Sequence, residues 1–116
     1  MSTSASCLFC KLRDGQIPAT ISYRDEDVIA FPDIKPQADF HELVIPTRHI
    51  ASLADAQPGD DALFGKLMRV AAQRVRDRGF ADGFRVVMNA GADAGQTVFH
   101  AHLHVLAGRP MSWPPG

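Results

Sequence analysis

The stretch His100-Ala101-His102-Leu103-His104-Val105-Leu106 decides how this chain folds. Histidine alternates with small or apolar residues through it, and a period of two predicts a half-buried β-strand. Residues i, i+2 and i+4 of a strand share a face. The three imidazoles are therefore expected to form one row, about 6.8 Å apart, with Ala101, Leu103 and Val105 turned to a core. Just upstream, Gly91-Ala92-Asp93-Ala94-Gly95-Gln96-Thr97 reads as a turn of small residues whose N–H groups can face an anion. Imidazoles beside such a turn point to phosphate chemistry. The bare pattern also admits metal binding, or an edge strand that carries histidine on its polar face.

Outward from that stretch, the composition is ordinary for a globular domain. The chain has 116 residues, 46% hydrophobic and 22% charged, with a formal net charge of -1. That length suits one domain. The charge gives no reason to expect nucleic-acid binding, although local groups can still hold a small nucleotide. Residues 1–6 read as a disordered leader and 7–116 as a single domain. The leader lacks a basic segment and an apolar stretch, and no apolar run is long enough to span a membrane. A cytoplasmic protein with no nucleic-acid or membrane partner is the expectation, and there two cysteines are thiols or ligands in preference to a disulfide.

Leu8 to Lys11 begins a short helix closed at Asp14-Gly15. Ile21–Arg24 and Val28–Phe31 read as strands joined by a turn at Asp25-Glu26-Asp27. Pro32 and Pro36 frame a loop, Phe40–Ile45 is a third strand ended by Pro46, and Phe84–Asn89 is a fourth. The clearest helix runs from about Asp60 to Arg78, with Leu63, Phe64, Leu67, Met68, Ala71, Ala72 and Val75 as its apolar stripe. Gly79 caps it, and Arg74, Arg76 and Arg78 suit its negative end as a solvated face. The order predicts an α+β domain: a five-stranded antiparallel sheet with one long helix on a face and a short N-terminal helix.

Cys7-Leu8-Phe9-Cys10 is half of a tetrahedral zinc site. With no second such motif, further ligands must come from distant sequence. A thioredoxin-like redox pair lacks its βαβ context, and two plain thiols are the remaining reading.

His100 to Leu106, with Gly95-Gln96-Thr97-Val98 before it and Gly108-Arg109-Pro110-Met111-Ser112-Trp113-Pro114-Pro115-Gly116 after it, resembles the histidine triad (HIT) nucleotide-binding family. Phe31–Ala38 and His41–Ile50 look like family segments too, so the likeness extends from Cys7 to the terminus. The ending Trp113-Pro114-Pro115-Gly116 is closer to the purine nucleoside phosphoramidase branch. The resemblance implies two such sheets joined in a homodimer. It also implies hydrolysis of the P–N bond of purine nucleoside 5′-phosphoramidates, such as AMP-NH2 or aminoacyl- and lysyl-AMP types. Dinucleoside polyphosphate hydrolysis, or a non-catalytic purine-nucleotide-binding or interaction module, are the alternatives.

The resemblance places the nucleophile at His102. An imidazole offers an unprotonated nitrogen at neutral pH, and covalent capture of the nucleotidyl group splits one hard step into two. Its other nitrogen needs an acceptor, expected on the facing strand near His41. His104, two residues on, is expected to hydrogen-bond the phosphate or leaving group. Asn89 can donate to phosphate or ribose, or simply end a strand. Thr97 offers a hydroxyl and, with Gly95 and Gln96, backbone N–H groups to the α-phosphate. By resemblance Asp33 accepts from the ribose hydroxyls and Ile34 packs on the purine; read alone, Asp33 is a turn former. Trp113 either packs across the dimer or anchors the tail, and Arg109 is a surface residue. In zinc-bearing relatives the paired cysteines join positions that here are His49 and His100, which implies a structural zinc site of Cys7, Cys10, His49 and His100, with no metal needed for catalysis. Glu42, Ala107 and Phe99 depart from the family pattern without removing a chemical group from that scheme.

Overall fold

Seven buried residues in succession, Phe40–Pro46, form strand β3, and such a run requires a strand covered on both faces. The computed structural model describes residues 4–116. Its remaining strands are β1 (Tyr23–Arg24), β2 (Val28–Pro32), β4 (Phe84–Val87) and β5 (Leu103–Ala107). They make one antiparallel sheet in the order β1-β2-β3-β5-β4. Helix α1 spans Leu8–Arg13 and α2 spans Asp61–Asp77. This is the predicted α+β architecture. Part of the expected leader, residues 1–3, lies outside the described residues, and Ser4–Ser6 form a 3-10 turn.

Alternation assigns each face of β3 a different task. Phe40 and Val44 join Val28, Ala30, Leu103, Val105 and Ala107 against Leu67, Val70, Ala71 and Val75 of α2. The other face presents Leu43 and Ile45 with Ile29 and Phe31 to Cys7, Phe9, Cys10 and Leu12 at α1. The register pairs Leu43 with His104 and His104 with Val87. His41, two residues before Leu43, shares this second face, so the site side chains lie opposite α2.

The long helix is rotated from its expected stripe. Val70 is buried while Met68 is exposed, because the seam must also carry Arg74. That guanidinium makes two hydrogen bonds, 2.9 and 3.0 Å, to the carboxylate of buried Glu42. The charged residue in an apolar strand is thereby paired, as a buried charge must be. Arg78 lies over the Phe40 ring, 5.5 Å from its centre. Of the three arginines expected to be solvated, Arg76 and Arg78 are exposed, and Arg74 turns to the sheet instead.

The strands also differ at their ends. The first is two residues long, β3 continues through Pro46, β4 stops at Val87, and β5 starts only at Leu103. His100 and His102 therefore precede the strand, and the single row of three imidazoles is broken. The reason is local: Ala101 N–H donates to the Ile50 carbonyl at 2.7 Å. The His100 carbonyl accepts from a side chain.

Candidate active site

His102 is 7% exposed, and its Nδ1–H donates to the His100 carbonyl at 2.7 Å. A backbone carbonyl can only accept, so this bond fixes the proton on Nδ1 and leaves the lone pair on Nε2. The acceptor is the residue two positions earlier, not the facing strand near His41. Among the described residues no buried side-chain nitrogen lacks a partner. Nε2, to which no partner is assigned, is therefore open to the surface. Burial pushes the His102 pKa down, keeping the ring neutral and the lone pair available. The Phe9 ring packs edge-on against it, 5.2 Å between centres.

His104 stands beside it with ring centres 5.1 Å apart, on the face it shares with His41. Gln37 N–H donates to His41 Nδ1 at 3.0 Å, which forces the His41 proton onto Nε2. That nitrogen is 3.0 Å from His104 Nδ1 and 3.4 Å from an Asp33 carboxylate oxygen. His104 Nδ1 is then an acceptor, and its own proton sits on Nε2 as a donor for a ligand. Burial lowers the pKa of both rings, with further lowering of His104 by its histidine neighbours. His41 and Gln37 were not singled out from the sequence as functional. Only the strand register, which brings His41 to His104, could have found them. Arg109 Nε donates to the Gln37 carbonyl at 2.8 Å, bracing the same loop.

Asp33 is the turn former anticipated, and its second oxygen faces the histidines. Its Oδ1 accepts from Lys35 N–H at 2.8 Å, closing a turn, while Oδ2 lies against the His41–His104 pair. Beside it Ile34 is 93% exposed, an apolar side chain with nothing packed on it. Asn89 is half-buried just past the end of β4.

The 91–97 turn is organised differently from the expectation. Gly95 N–H donates to Ala92 O and Gln96 N–H to Gly91 O, so both are engaged within the turn. The Gln96 side chain is buried; it accepts from Gly91 N–H at 2.8 Å and donates to the carbonyls of Ala51 and Val98. Gln96 is a brace that fastens the turn to the segment after His49. Gly95 closes that turn at φ +95°, a conformation that favours glycine. Thr97 is left exposed with its hydroxyl at the surface. Trp113, 80% exposed, anchors nothing within its own chain that burial would reveal.

The second cluster lies on the other side of the triad segment. Cys7 Sγ is 3.3 Å and Cys10 Sγ 3.5 Å from His100 Nδ1, and Cys10 Sγ is 3.4 Å from His49 Nδ1. All four ligand atoms lie within 4.8 Å of one another. Tetrahedral zinc at ordinary bond lengths separates sulfur from nitrogen by about 3.6 Å, so the set fits. His100 Nε2–H donates to the Pro46 carbonyl at 2.7 Å, which turns the Nδ1 lone pair toward the sulfurs, the second-shell arrangement of a metal-bound histidine. Without a cation, burial and then neighbouring Cys7 push the Cys10 thiol up to about 11. Burial drives His100 down to about 4. A divalent cation would hold these sulfurs as thiolates.

The chain is similar to a set of known proteins. The family model described as HIT domain matches residues 14–111. An uncharacterized HIT-like protein from Synechocystis sp. is 50% identical over 109 residues, covering 94% of this chain and 96% of that protein. A HIT family hydrolase of Legionella pneumophila superposes with a TM-score of 0.93 at 44% identity, over 96% of this chain and all of that one. A zinc-bound histidine triad protein of Mycobacterium smegmatis gives 0.79 at 40% identity, over 92% of this chain and 78% of that chain.

Proposed function

This chain belongs to the HIT domain family, and on that premise we propose that it hydrolyses the P–N bond of purine nucleoside 5′-phosphoramidates. The observation that carries the reading is the His102 hydrogen bond to the His100 carbonyl. It presents a neutral ring with its lone pair on the outward nitrogen. In the proposed cycle Nε2 attacks the α-phosphorus and the P–N electron pair leaves with the amine, which takes up a proton. Water then attacks phosphorus, the nucleoside 5′-monophosphate departs, and Nε2 regains its lone pair. The His100 carbonyl faces the positive charge that the ring acquires while it carries the nucleotidyl group. His104 Nε2–H hydrogen-bonds the phosphate or the leaving group.

Asp33 Oδ2 is proposed to accept from ribose hydroxyls, and Ile34, whose side chain is exposed, to pack on the purine. Thr97 and Asn89 are the donors proposed for phosphate, while the Gly95 and Gln96 N–H groups stay engaged in closing their own turn. Zinc in the Cys7/Cys10/His49/His100 cluster is structural, and no step passes through it. A second copy is proposed to pair along β4, an edge strand that begins with exposed Phe84. Among the described residues no helix is long and apolar enough to cross a membrane.

His102→Asn tests the reading. It should reduce turnover of adenosine 5′-phosphoramidate about 10³-fold or more while AMP still binds. Mass spectrometry of the wild-type protein should trap a nucleotidyl group on His102. Unchanged turnover in the variant refutes the nucleophile, and faster turnover of a diadenosine polyphosphate by the wild type refutes the substrate class.

A further inference from the structure

We propose that the Cys7/Cys10/His49/His100 cluster, when it holds zinc, positions the His102 nucleophile, so that metal loss slows the chemical step without weakening nucleotide binding. This rests on the role given to His102 above. The segment carrying His100 and His102 precedes β5, so no ladder hydrogen bonds fix the carbonyl that orients His102. What holds that peptide is the set of bonds to the residue bearing it. The His100 ring is fully buried between the two sulfurs and the Pro46 carbonyl. The following N–H is tied to Ile50, the neighbour of His49. The carbonyl aimed at His102 therefore belongs to a metal ligand.

A second route runs through α1. Six residues make too short a helix to hold itself, and Cys7 and Cys10 fasten it at one end of the cluster. Phe9 lies between them. Its ring meets both His100 and His102 edge-on, at 5.9 and 5.2 Å between centres. The ion thus fixes both the hydrogen-bond acceptor and the apolar wall of the His102 ring. Cys7, Cys10, His49, His100 and Phe9 are positioning residues in this scheme, and none of them contacts substrate.

The test uses the whole protein, loaded with zinc and then stripped with a chelator, with metal content followed by elemental analysis. Stripping should lower kcat on adenosine 5′-phosphoramidate at least about tenfold. The AMP dissociation constant should stay within about twofold and thermal unfolding should remain a single cooperative transition, because transition-state alignment is lost and the fold is kept. Stoichiometric zinc should restore kcat. In 15N-labelled protein the Nδ1–H resonance of His102 should be protected from exchange only in the zinc form. Phe9→Ala should lower kcat at full zinc occupancy, and Phe9→Leu, which keeps an apolar wall, should recover most of it.

Three results would overturn the proposal: failure to take up zinc, stripping that leaves kcat and the His102 resonance unchanged, or parallel loss of fold and AMP affinity. A zinc-loaded protein that neither turns over phosphoramidate nor forms the His102 adduct would refute the substrate reading. The His102 resonance would still decide the positioning role.

Discussion

The two sides of the triad segment use the same side chain for opposite purposes. Around His100, the Pro46 carbonyl takes the Nε2 proton and leaves a lone pair facing two sulfurs. Around His41, the Gln37 N–H occupies Nδ1 and leaves a proton facing His104 and Asp33. Asp33, His41 and His104 also bring three ligand-type atoms within 4.8 Å of one another. Proximity alone would make both clusters metal sites. The backbone group behind each ring separates them, because a neutral imidazole has one proton and its partner chooses the nitrogen. One cluster turns a ring lone pair toward its sulfurs, and the other turns a ring proton toward its neighbours.

That contrast is most sharply tested by exchanging its members. His41→Asn should lower kcat about 10²-fold, a loss typical of removing a proton-bearing partner, and should leave about one equivalent of zinc bound. His100→Asn should abolish zinc binding. Loss of zinc in the His41 variant, or its retention in the His100 variant, would erase the distinction.

A smaller effect is expected in the pH profile. Burial lowers His41, His102 and His104 below the ordinary imidazole value of about 6.5. The kcat/KM plateau should extend below that value before falling. Stability linked to these rings is fully present above about 6.5 and is lost as pH falls through their lowered folded values, because the unfolded chain takes up protons first. An acid limb at or above the ordinary value would contradict the burial argument. The smallest effect concerns Ile34. Ile34→Ala should weaken AMP binding about fivefold, near 1 kcal/mol, with kcat and zinc content unchanged. Equal affinity in calorimetry would remove Ile34 from the purine site.

Much of this was legible in the chain. Alternation located β5, apolar runs bounded by turn residues and prolines located β2 and β3, and helical spacing with Gly79 located α2. The cysteine spacing named Cys7 and Cys10 as half of a metal site, and the family resemblance supplied His49 and His100, the four residues that the fold brings together. Misreadings cluster where a tertiary partner overrides a local rule. Met68 satisfies the helical period but is exposed, because the seam turned to place Arg74 on Glu42. Gln96 sits in a phosphate-type turn, yet its amide is wholly used in bracing it.

By itself the sequence determined the fold class, the order of the elements and which residue types could meet at the site. Those follow from period and composition, which are properties of neighbours along the chain. The tertiary structure alone decided which nitrogen of each histidine carries a proton. It also decided that His41 belongs with His104, that Phe9 walls His102, and that His100 leaves the strand. Each depends on one backbone donor or acceptor delivered from elsewhere in the fold, and no local pattern encodes the direction in which a distant carbonyl points.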